Sequence, residues 1–478
     1  MTWFFETYGC QMNIAESAAL EQIARERGWL RAASGETADM VLLNTCSVRA
    51  TAEQRIVGRI GHYAAIKKKR KTGGSAPLTL VMAGCMAERL GERIKTGYPV
   101  DFVMGASSRA FFPAILEAVE KGAAGEYAVP LPSPEAPRSG GTGFSFYPLH
   151  LERGADRPAV RSFVPIMHGC DNFCSYCIVP YVRGREVSRP PREIRAEIET
   201  LAAAGIREIT LLGQNVNSYR HDGTGFSTLL ATIARWIEGT PIKWVRFLSA
   251  NPGDFSEKTI RVLADHPAFC RHIHLCAQHG SNRILTLMNR RYTREDYLTL
   301  TGALRGALSE VSFSTDILVG FPGETEADFR EILSLMEEVR FSHAYMYHYN
   351  PREGTAAFSL ENRVPEEVKR ERLSRVIDLQ KKHTREILKN RTGRRETVLF
   401  EGISRKNADE LLGRTAHDEM TAVRGGADLV GSFGEVTLAA LRGNTFRGAD
   451  LTLSPGEDKK RADKTFKSPR EKPRGNGG

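Results

Sequence analysis

Along the first 120 residues one pattern of apolar and polar positions recurs. "WFFETYGC", "MVLLNTC" and "LTLVMAGC" are short strand-like runs ending at a cysteine. Each precedes a helical pattern: "NIAESAALEQIARERG", "RATAEQRIVGRIGHYAAIKKK" and "AERLGERIKTG". The alternation predicts an N-terminal parallel-sheet α/β domain over 1–120. A proline- and glycine-dense stretch, "LPSPEAPRSGGTG", marks a linker within 121–156. From 157 to 389 the pattern repeats six times, with strand-like runs at "SFVPIM", "EITLLG", "WVRFLS", "HIHLC", "FSTDILVGF" and "HAYMYHY". Helical patterns such as "PREIRAEIETLAAAG" and "TEADFREILSLMEEV" follow most of them. Successive β-then-α units imply parallel strands joined by right-handed crossovers. Six of them predict an open or partial α/β barrel with its chemistry at the carboxyl ends of the strands. A doubly wound open sheet is the alternative. Residues 390–455 are rich in strand formers and glycine turns, and the basic tail at 456–478 is expected to be disordered.

Composition narrows the class. A chain of 478 residues, 41% hydrophobic, can bury cores for two to four domains. The N-terminus shows no targeting signal, and nothing approaches the eighteen or so apolar residues of a bilayer span. A cytoplasmic protein with no membrane partner is therefore expected. In that compartment eight cysteines do not suggest a disulfide scaffold, and clustered ones point to metal binding or catalysis. The net charge of +10 suits an anionic partner such as RNA.

The cysteines carry the most specific signal. Cys170, Cys174 and Cys177 have CxxxCxxC spacing just after the first strand of the expected barrel. Zinc ribbons favour paired CxxC knuckles with four closed ligands. No fourth cysteine or histidine lies close by on the C-terminal side, and His168, at the strand end, is a weak zinc candidate. Three thiolates on a 4Fe–4S cluster would leave one iron open to an external chelating molecule. Cys10, Cys46 and Cys85 each end a strand-like run, so parallel strands would place them on one sheet edge as a second three-ligand site. Cys270 and Cys276, in the fourth barrel unit, are expected to be structural.

CxxxCxxC after the first strand, with Tyr176 before the last cysteine, resembles the radical S-adenosylmethionine (SAM) enzymes. "TYGCQMN", "NTCSVRATAEQR", "GCMAER", "GCDNFCSYCIVPYVRGREVSRP", "TLLGQNVNSY", "STDILVGFPGETEADF" and "NPREGTAA" sharpen the resemblance to the methylthiotransferases within that superfamily. Gln-Met-Asn after the first cysteine and Ser-Val-Arg after the second are similar to the branch acting on N6-dimethylallyl(isopentenyl)adenosine in tRNA. The resemblance implies methylthiolation at C2 of that base, with SAM as both methyl donor and source of the 5′-deoxyadenosyl radical. It implies two 4Fe–4S clusters. Cys170, Cys174 and Cys177 would hold the SAM-cleaving one, and Cys10, Cys46 and Cys85 an auxiliary one that delivers sulfur. Gly213, Gln214 and Asn215 would meet the methionyl end of SAM, while Ser249 and the Gly320–Gly323 turn would line the rest of its pocket. For these glycines turn geometry is the competing explanation. Arg183 and Arg185 face phosphate, the sulfur donor or solvent.

One motif departs from the family. Where it commonly reads His-Leu-Pro-Val-Gln-Ser-Gly-Ser, this chain has "HLCAQHGS", differing at Cys276, Ala277 and His279. The C-terminal piece resembles the small antiparallel β-barrel called TRAM, which binds RNA, yet residues 390–455 hold nine basic and nine acidic side chains. Positive charge lies instead in "KKKRK" at 67–71, in "VKRERLSRVIDLQKKHTREILKNR" and in the tail. The implied partners are the tRNA anticodon stem-loop, whose unpaired bases are accessible, and an electron-donor protein, acting on a monomer. The alternatives are the same chemistry on threonylcarbamoyl-adenosine in tRNA or on a ribosomal protein, and a non-catalytic zinc-binding RNA-binding protein.

Overall fold

The computed structural model describes residues 1–47, 50–122 and 159–457. Nearly all of the expected linker and tail, and Val48 and Arg49 of "NTCSVR", lie outside the described residues. The chain divides into two compact units, Met1–Thr384 and Arg385–Gly478.

The first unit opens with a parallel sheet of five strands: β1 (Thr2–Tyr8), β2 (Leu30–Arg31), β3 (Met40–Thr45), β4 (Thr79–Gly84) and β5 (Phe102–Gly105). Their order is β2-β1-β3-β4-β5. The central runs "MVLLNT" and "TLVMAG" are buried at every position, as strands covered on both faces must be. Alternation then sorts the side chains. Met40 and Leu42 join Trp3, Phe102 and Phe112 in one core, while Val41 and Leu43 join Ile56, Ile60 and Met82 in another. The flanking helices are α1 (Gln11–Glu26), α2 (Ala50–Thr72), α3 (Cys85–Gly97) and α4 (Phe112–Glu120).

The six expected β-then-α units are present. Three strands, β6 (Arg161–Pro165), β9 (Glu208–Leu212) and β12 (Trp244–Phe247), pair in parallel, as do β13 (His272–His274), β14 (Ser312–Val319) and β15 (His343–His348). Parallel bridges Val245↔Phe269 and Ala250↔Leu275 join the trios, giving the order β6-β9-β12-β13-β14-β15. This is a partial barrel, not the doubly wound alternative. Its larger helices are α6 (Pro191–Ala203), α7 (Phe226–Trp236), α8 (Glu257–Asp265), α10 (Arg294–Ala307) and α11 (Glu326–Val339). Ile194, Leu230, Leu304 and Phe329 from these helices share one core with Val164, Ile209, Val245 and Phe313 from the strands. The short pieces β7 (Met167–His168), β8 (Val187–Ser188), the β10/β11 ribbon (Arg220–His221, Thr224–Gly225), α5 (Val179–Arg183) and α9 (Asn282–Leu287) decorate the rim. A helix, α12 (Glu366–Arg391), follows.

The second unit holds a closed five-stranded barrel of β16 (Arg395–Ser404), β17 (Asn407–Thr415), β18 (Met420–Arg424), β19 (Phe433–Arg442) and β20 (Thr445–Leu453). Its pairings are antiparallel except for β18 with β20, the parallel contact that completes the order β16-β17-β18-β20-β19. Val398, Phe400, Leu411, Val423 and Val436 fill it.

Candidate functional site

Register fixes the N-terminal cysteines. Tyr8 of β1 pairs with Thr45 of β3, and Thr45 pairs with Gly84 of β4. Cys10 lies two residues past Tyr8, and Cys46 and Cys85 directly follow Thr45 and Gly84. Neighbouring strands run about 4.8 Å apart, so the three crossings span roughly 10 Å of one edge. Two asparagines knit the edge together. Asn13 Oδ1 accepts from the Cys10 amide at 3.3 Å and from its Sγ at 3.4 Å. Asn13 Nδ2 donates to Asn44 Oδ1 at 3.0 Å, and Asn44 Nδ2 donates to the Asn13 carbonyl at 2.9 Å. Gly84 has φ +92°, and a Cβ there would lie 2.5 Å from both Asn44 Oδ1 and the Thr45 carbonyl. "QMN", "NTC" and "AGC" are thus one local structure. Glu53 accepts from Ser47 Oγ (3.0 Å), Arg89 (2.6 Å) and Arg352 (2.9 Å), which adds one more motif, "NPREGTAA", to the same cluster.

The second trio lies on a loop between β7 and α5. Gly169 has φ +78° and no room for a Cβ, which would meet the Arg185 carbonyl at 2.0 Å. Ser175 Oγ donates to the Leu287 carbonyl at 2.7 Å, and Asn289 Nδ2 donates to the Phe173 carbonyl at 3.0 Å. Arg290, which sequence reasoning missed, donates to Cys174 Sγ at 3.4 Å and to the Cys276 carbonyl at 3.0 Å. Nothing in local spacing pairs residues 116 apart.

Arg183, six residues after Cys177, reaches the N-terminal trio. It is 5% exposed, its Nε lies 3.2 Å from Cys85 Sγ, and a second guanidinium nitrogen donates to Glu16 at 2.6 Å. Arg109 also pairs with Glu16 at 2.6 Å. Cys85 packs on Ile178 and Val182, so the residue directly after Cys177 touches the other trio. Glu16, also missed, left no local signal, since the buried face of α1 carries Asn13, Ser17 and Glu21 as well. Arg185, by contrast, is mostly exposed and pairs with Asp171 at 2.9 Å. His168 is buried with Nδ1 3.4 Å from Arg183.

Burial pushes the Cys85, Cys170 and Cys177 thiols up to about 12. Around Cys85 the Arg183 charge works the other way, while Cys46, Glu16 and Cys10 add to the rise. Such thiols stay protonated until a metal takes the proton's place. The group in this unit whose ligand atoms all lie within 4.8 Å of one another, among the described residues, is His274, Cys276 and Asp316. Among the described residues neither trio has its sulfurs drawn together with a further ligand atom within 4.8 Å, the spacing a single ion would need.

The expected SAM contacts fare differently from one another. Gln214 Oε1 accepts from the Gly169 amide at 2.7 Å, tying the second strand's end to the cysteine loop. Asn215 Nδ2 donates to Asp254 at 2.7 Å, and its Oδ1 is buried without a hydrogen-bond partner. A Cβ on Gly213 would meet Met167 Cγ at 2.5 Å. Ser249 has φ +63°, a strained conformation at the rim. Gly320 and Gly323 have φ +71° and +80°, so turn geometry by itself accounts for both. In "HLCAQHGS" the departure at His279 is absorbed internally. His279 Nε2 lies 3.1 Å from Glu324, which also accepts from Arg372 at 2.8 Å and from the Gly320 amide at 2.8 Å. Of "KKKRK", Lys67 is tied to Asp101 at 2.5 Å, while Lys68, Lys69 and Lys71 are exposed.

Comparison with known proteins agrees with this geometry. The Radical SAM superfamily matches residues 164–336, and "Uncharacterized protein family UPF0004" matches residues 2–105. The fold is similar to that of the radical S-adenosylmethionine methyltransferase TsrM from Kitasatospora setae, solved with cobalamin and a [4Fe-4S] cluster bound. That likeness has a TM-score of 0.56 at 17% identity, over 75% of this chain and 74% of that one. Barrel, cysteine loop and domain match define the class: a radical SAM enzyme. Relatives named tRNA-2-methylthio-N(6)-dimethylallyladenosine synthase share far more. The Treponema denticola protein is 47% identical over 94% of this chain and 99% of its own length. Those of Treponema pallidum and Syntrophus aciditrophicus are 46% and 39% identical over 94% of this chain, covering 98% and 94% of their own lengths. The chain belongs to the family of tRNA-2-methylthio-N(6)-dimethylallyladenosine synthases.

Proposed function

We propose that this protein methylthiolates C2 of N6-dimethylallyladenosine beside the anticodon of tRNA. The observation that carries the reading is the meeting of the two cysteine sets at Arg183, Ile178 and Cys85. Cys170, Cys174 and Cys177 would hold one 4Fe–4S cluster and Cys10, Cys46 and Cys85 the other. When bound, these clusters and SAM supply radical formation, the methyl group and sulfur delivery. The chain's own residues do the positioning. Asn13 and Asn44 hold the turns that carry Cys10 and Cys46. Gln214 fixes the Gly169 amide at the start of the cysteine loop, and Arg290 fixes Cys174. Asn215 Oδ1, buried and without a hydrogen-bond partner among the described residues, would accept from an amine of SAM. Arg183 keeps a positive charge beside Cys85, balanced by Glu16.

Among the described residues no helix is long and apolar enough to cross a membrane. Our reading is of a cytoplasmic monomer that receives electrons from a donor protein and takes the anticodon stem-loop. Iron and sulfide counting on protein reconstituted without oxygen, followed by mass spectrometry of tRNA nucleosides, tests it. The 2-methylthio nucleoside is expected from isopentenylated tRNA. Two intact clusters with no such product would overturn the reading.

A further inference from the structure

The barrel holds another set of ligand-type side chains, distinct from both cysteine trios. His274 ends β13, and Cys276 follows on the same face two residues later. His274 pairs in register with Ser314 of β14, which brings Asp316, two residues further along β14, beside Cys276. The separations are even: Nε2 to Oδ2 3.3 Å, Sγ to Nε2 3.4 Å and Sγ to Oδ2 3.1 Å. Metal–ligand bonds of about 2.0–2.3 Å at tetrahedral angles place neighbouring donor atoms roughly 3.3–3.6 Å apart. Two of the three separations match that spacing and the third, Sγ to Oδ2, is slightly shorter, so a small outward shift of one side chain would set the three atoms at three corners of a tetrahedron.

The surroundings favour that use. His274 Nδ1 lies 3.0 Å from Ser314 Oγ, which in turn lies 2.8 Å from His272 Nε2. In this structure Nε2–H donates to Asp316; with an ion bound, Nδ1 would instead donate to the serine and Nε2 would turn its lone pair to the ion. Holding the second ring nitrogen in this way is how proteins orient a metal-binding imidazole. The Tyr345 ring packs edge-on against His274 at 5.6 Å. One thiolate and one carboxylate balance a divalent cation, and a thiolate–imidazole–carboxylate set suits zinc and its borderline-soft neighbours. The His274 side chain is 6% exposed and that of Asp316 25%, so the fourth corner opens on the aspartate side. Arg290 donates both to the Cys276 carbonyl and to Cys174 Sγ, which sets the group one guanidinium away from the cysteine loop.

We propose that His274, Cys276 and Asp316 form a mononuclear site for a zinc-class divalent ion, with three protein ligands and a fourth position for water. Binding would displace the Cys276 thiol proton to solvent, with no change in oxidation state. Cys276 is one of the positions where the chain departs from its family's common motif, so relatives with proline there would lack the site.

The test uses full-length protein with both clusters reconstituted, equilibrated with zinc and then freed of excess. Elemental analysis is expected to find about one tightly held zinc per chain, and X-ray absorption at the zinc edge about one sulfur among its ligands. Cys276→Ala is expected to abolish that zinc with iron and sulfide unchanged. Asp316→Asn, which keeps the side chain's shape, is expected to weaken zinc binding at least about tenfold. Failure of the wild type to retain zinc would overturn the proposal and leave a hydrogen-bonded triad only. So would zinc that survives both substitutions, or zinc bound by two or more sulfurs.

Discussion

The two cysteine trios reach the same donor set by opposite routes. The barrel trio lies within eight residues of one loop, and its geometry comes from what clamps the loop: Gly169, Ser175, Asn289 and Arg290. The N-terminal trio is spread over 76 positions, and its geometry comes from the register of three parallel strands. A local site can be loosened by losing one clamp. A distributed site persists as long as the sheet does, and fails where a turn at its edge loses room.

The sharpest break of this comparison is a pair of matched substitutions. Gly169→Ala and Gly84→Ala each place a Cβ within 2.5 Å of a backbone carbonyl at positive φ. Backbone strain alone costs on the order of 1–3 kcal/mol, before the overlap is relieved. Gly169→Ala is expected to lose the barrel cluster and keep the N-terminal one, and Gly84→Ala the reverse. In both, reconstituted iron falls to about half, and electron paramagnetic resonance identifies the survivor.

Arg183→Ala comes next. It leaves Glu16 paired with Arg109, so what is lost is the hydrogen bonding of one guanidinium to a charged group, about 1.5–3 kcal/mol. Denaturant unfolding reads the loss. Arg183→Lys should recover part of the stability but not the contact to Cys85, so altered cluster spectra in the lysine variant would mark a role beyond packing.

A smaller effect is set by pH. Burial works to raise the Glu16 carboxyl, but Arg109 and Arg183 outweigh it and hold it below its ordinary 4.5. A depressed carboxyl adds stability above its unfolded value and loses it as the pH falls through its folded one. Apo-protein melting temperature should therefore decline as the pH drops below about 4.5, and less steeply in Glu16→Gln. Equal slopes would show that Glu16 is not the group responsible.

Ser175→Ala is the mildest test, removing one bond to the Leu287 carbonyl at a cost of about 1 kcal/mol. It should lower barrel-cluster retention slightly and leave the N-terminal cluster untouched. An equal loss from both would mean that the trios are not independently built.

The contrast also explains what could be read in advance. The six strand-like runs and the parallel N-terminal strands were legible because strands buried on both faces are continuous apolar runs, here "MVLLNT" and "TLVMAG", whereas the strand order that separates a partial barrel from a doubly wound sheet was not. The CxxxCxxC cluster was legible because its three cysteines share one loop. The other trio was legible only through the repetition of "strand, cysteine, helix". Arg183 offered two partners in prospect and took a third, the sulfur of Cys85, 98 residues away. Arg290 gave no sign at all.

By itself, then, the sequence determined the elements, the two cysteine sets and the family, because periodicity, turn chemistry and short-range spacing are properties of neighbouring residues. Tertiary structure alone decided which charge meets Cys85, which glycines have no room for a methyl group, and that His274, Cys276 and Asp316 converge. Those facts depend on strand register and on distances between residues far apart in the chain, and no local pattern encodes such distances.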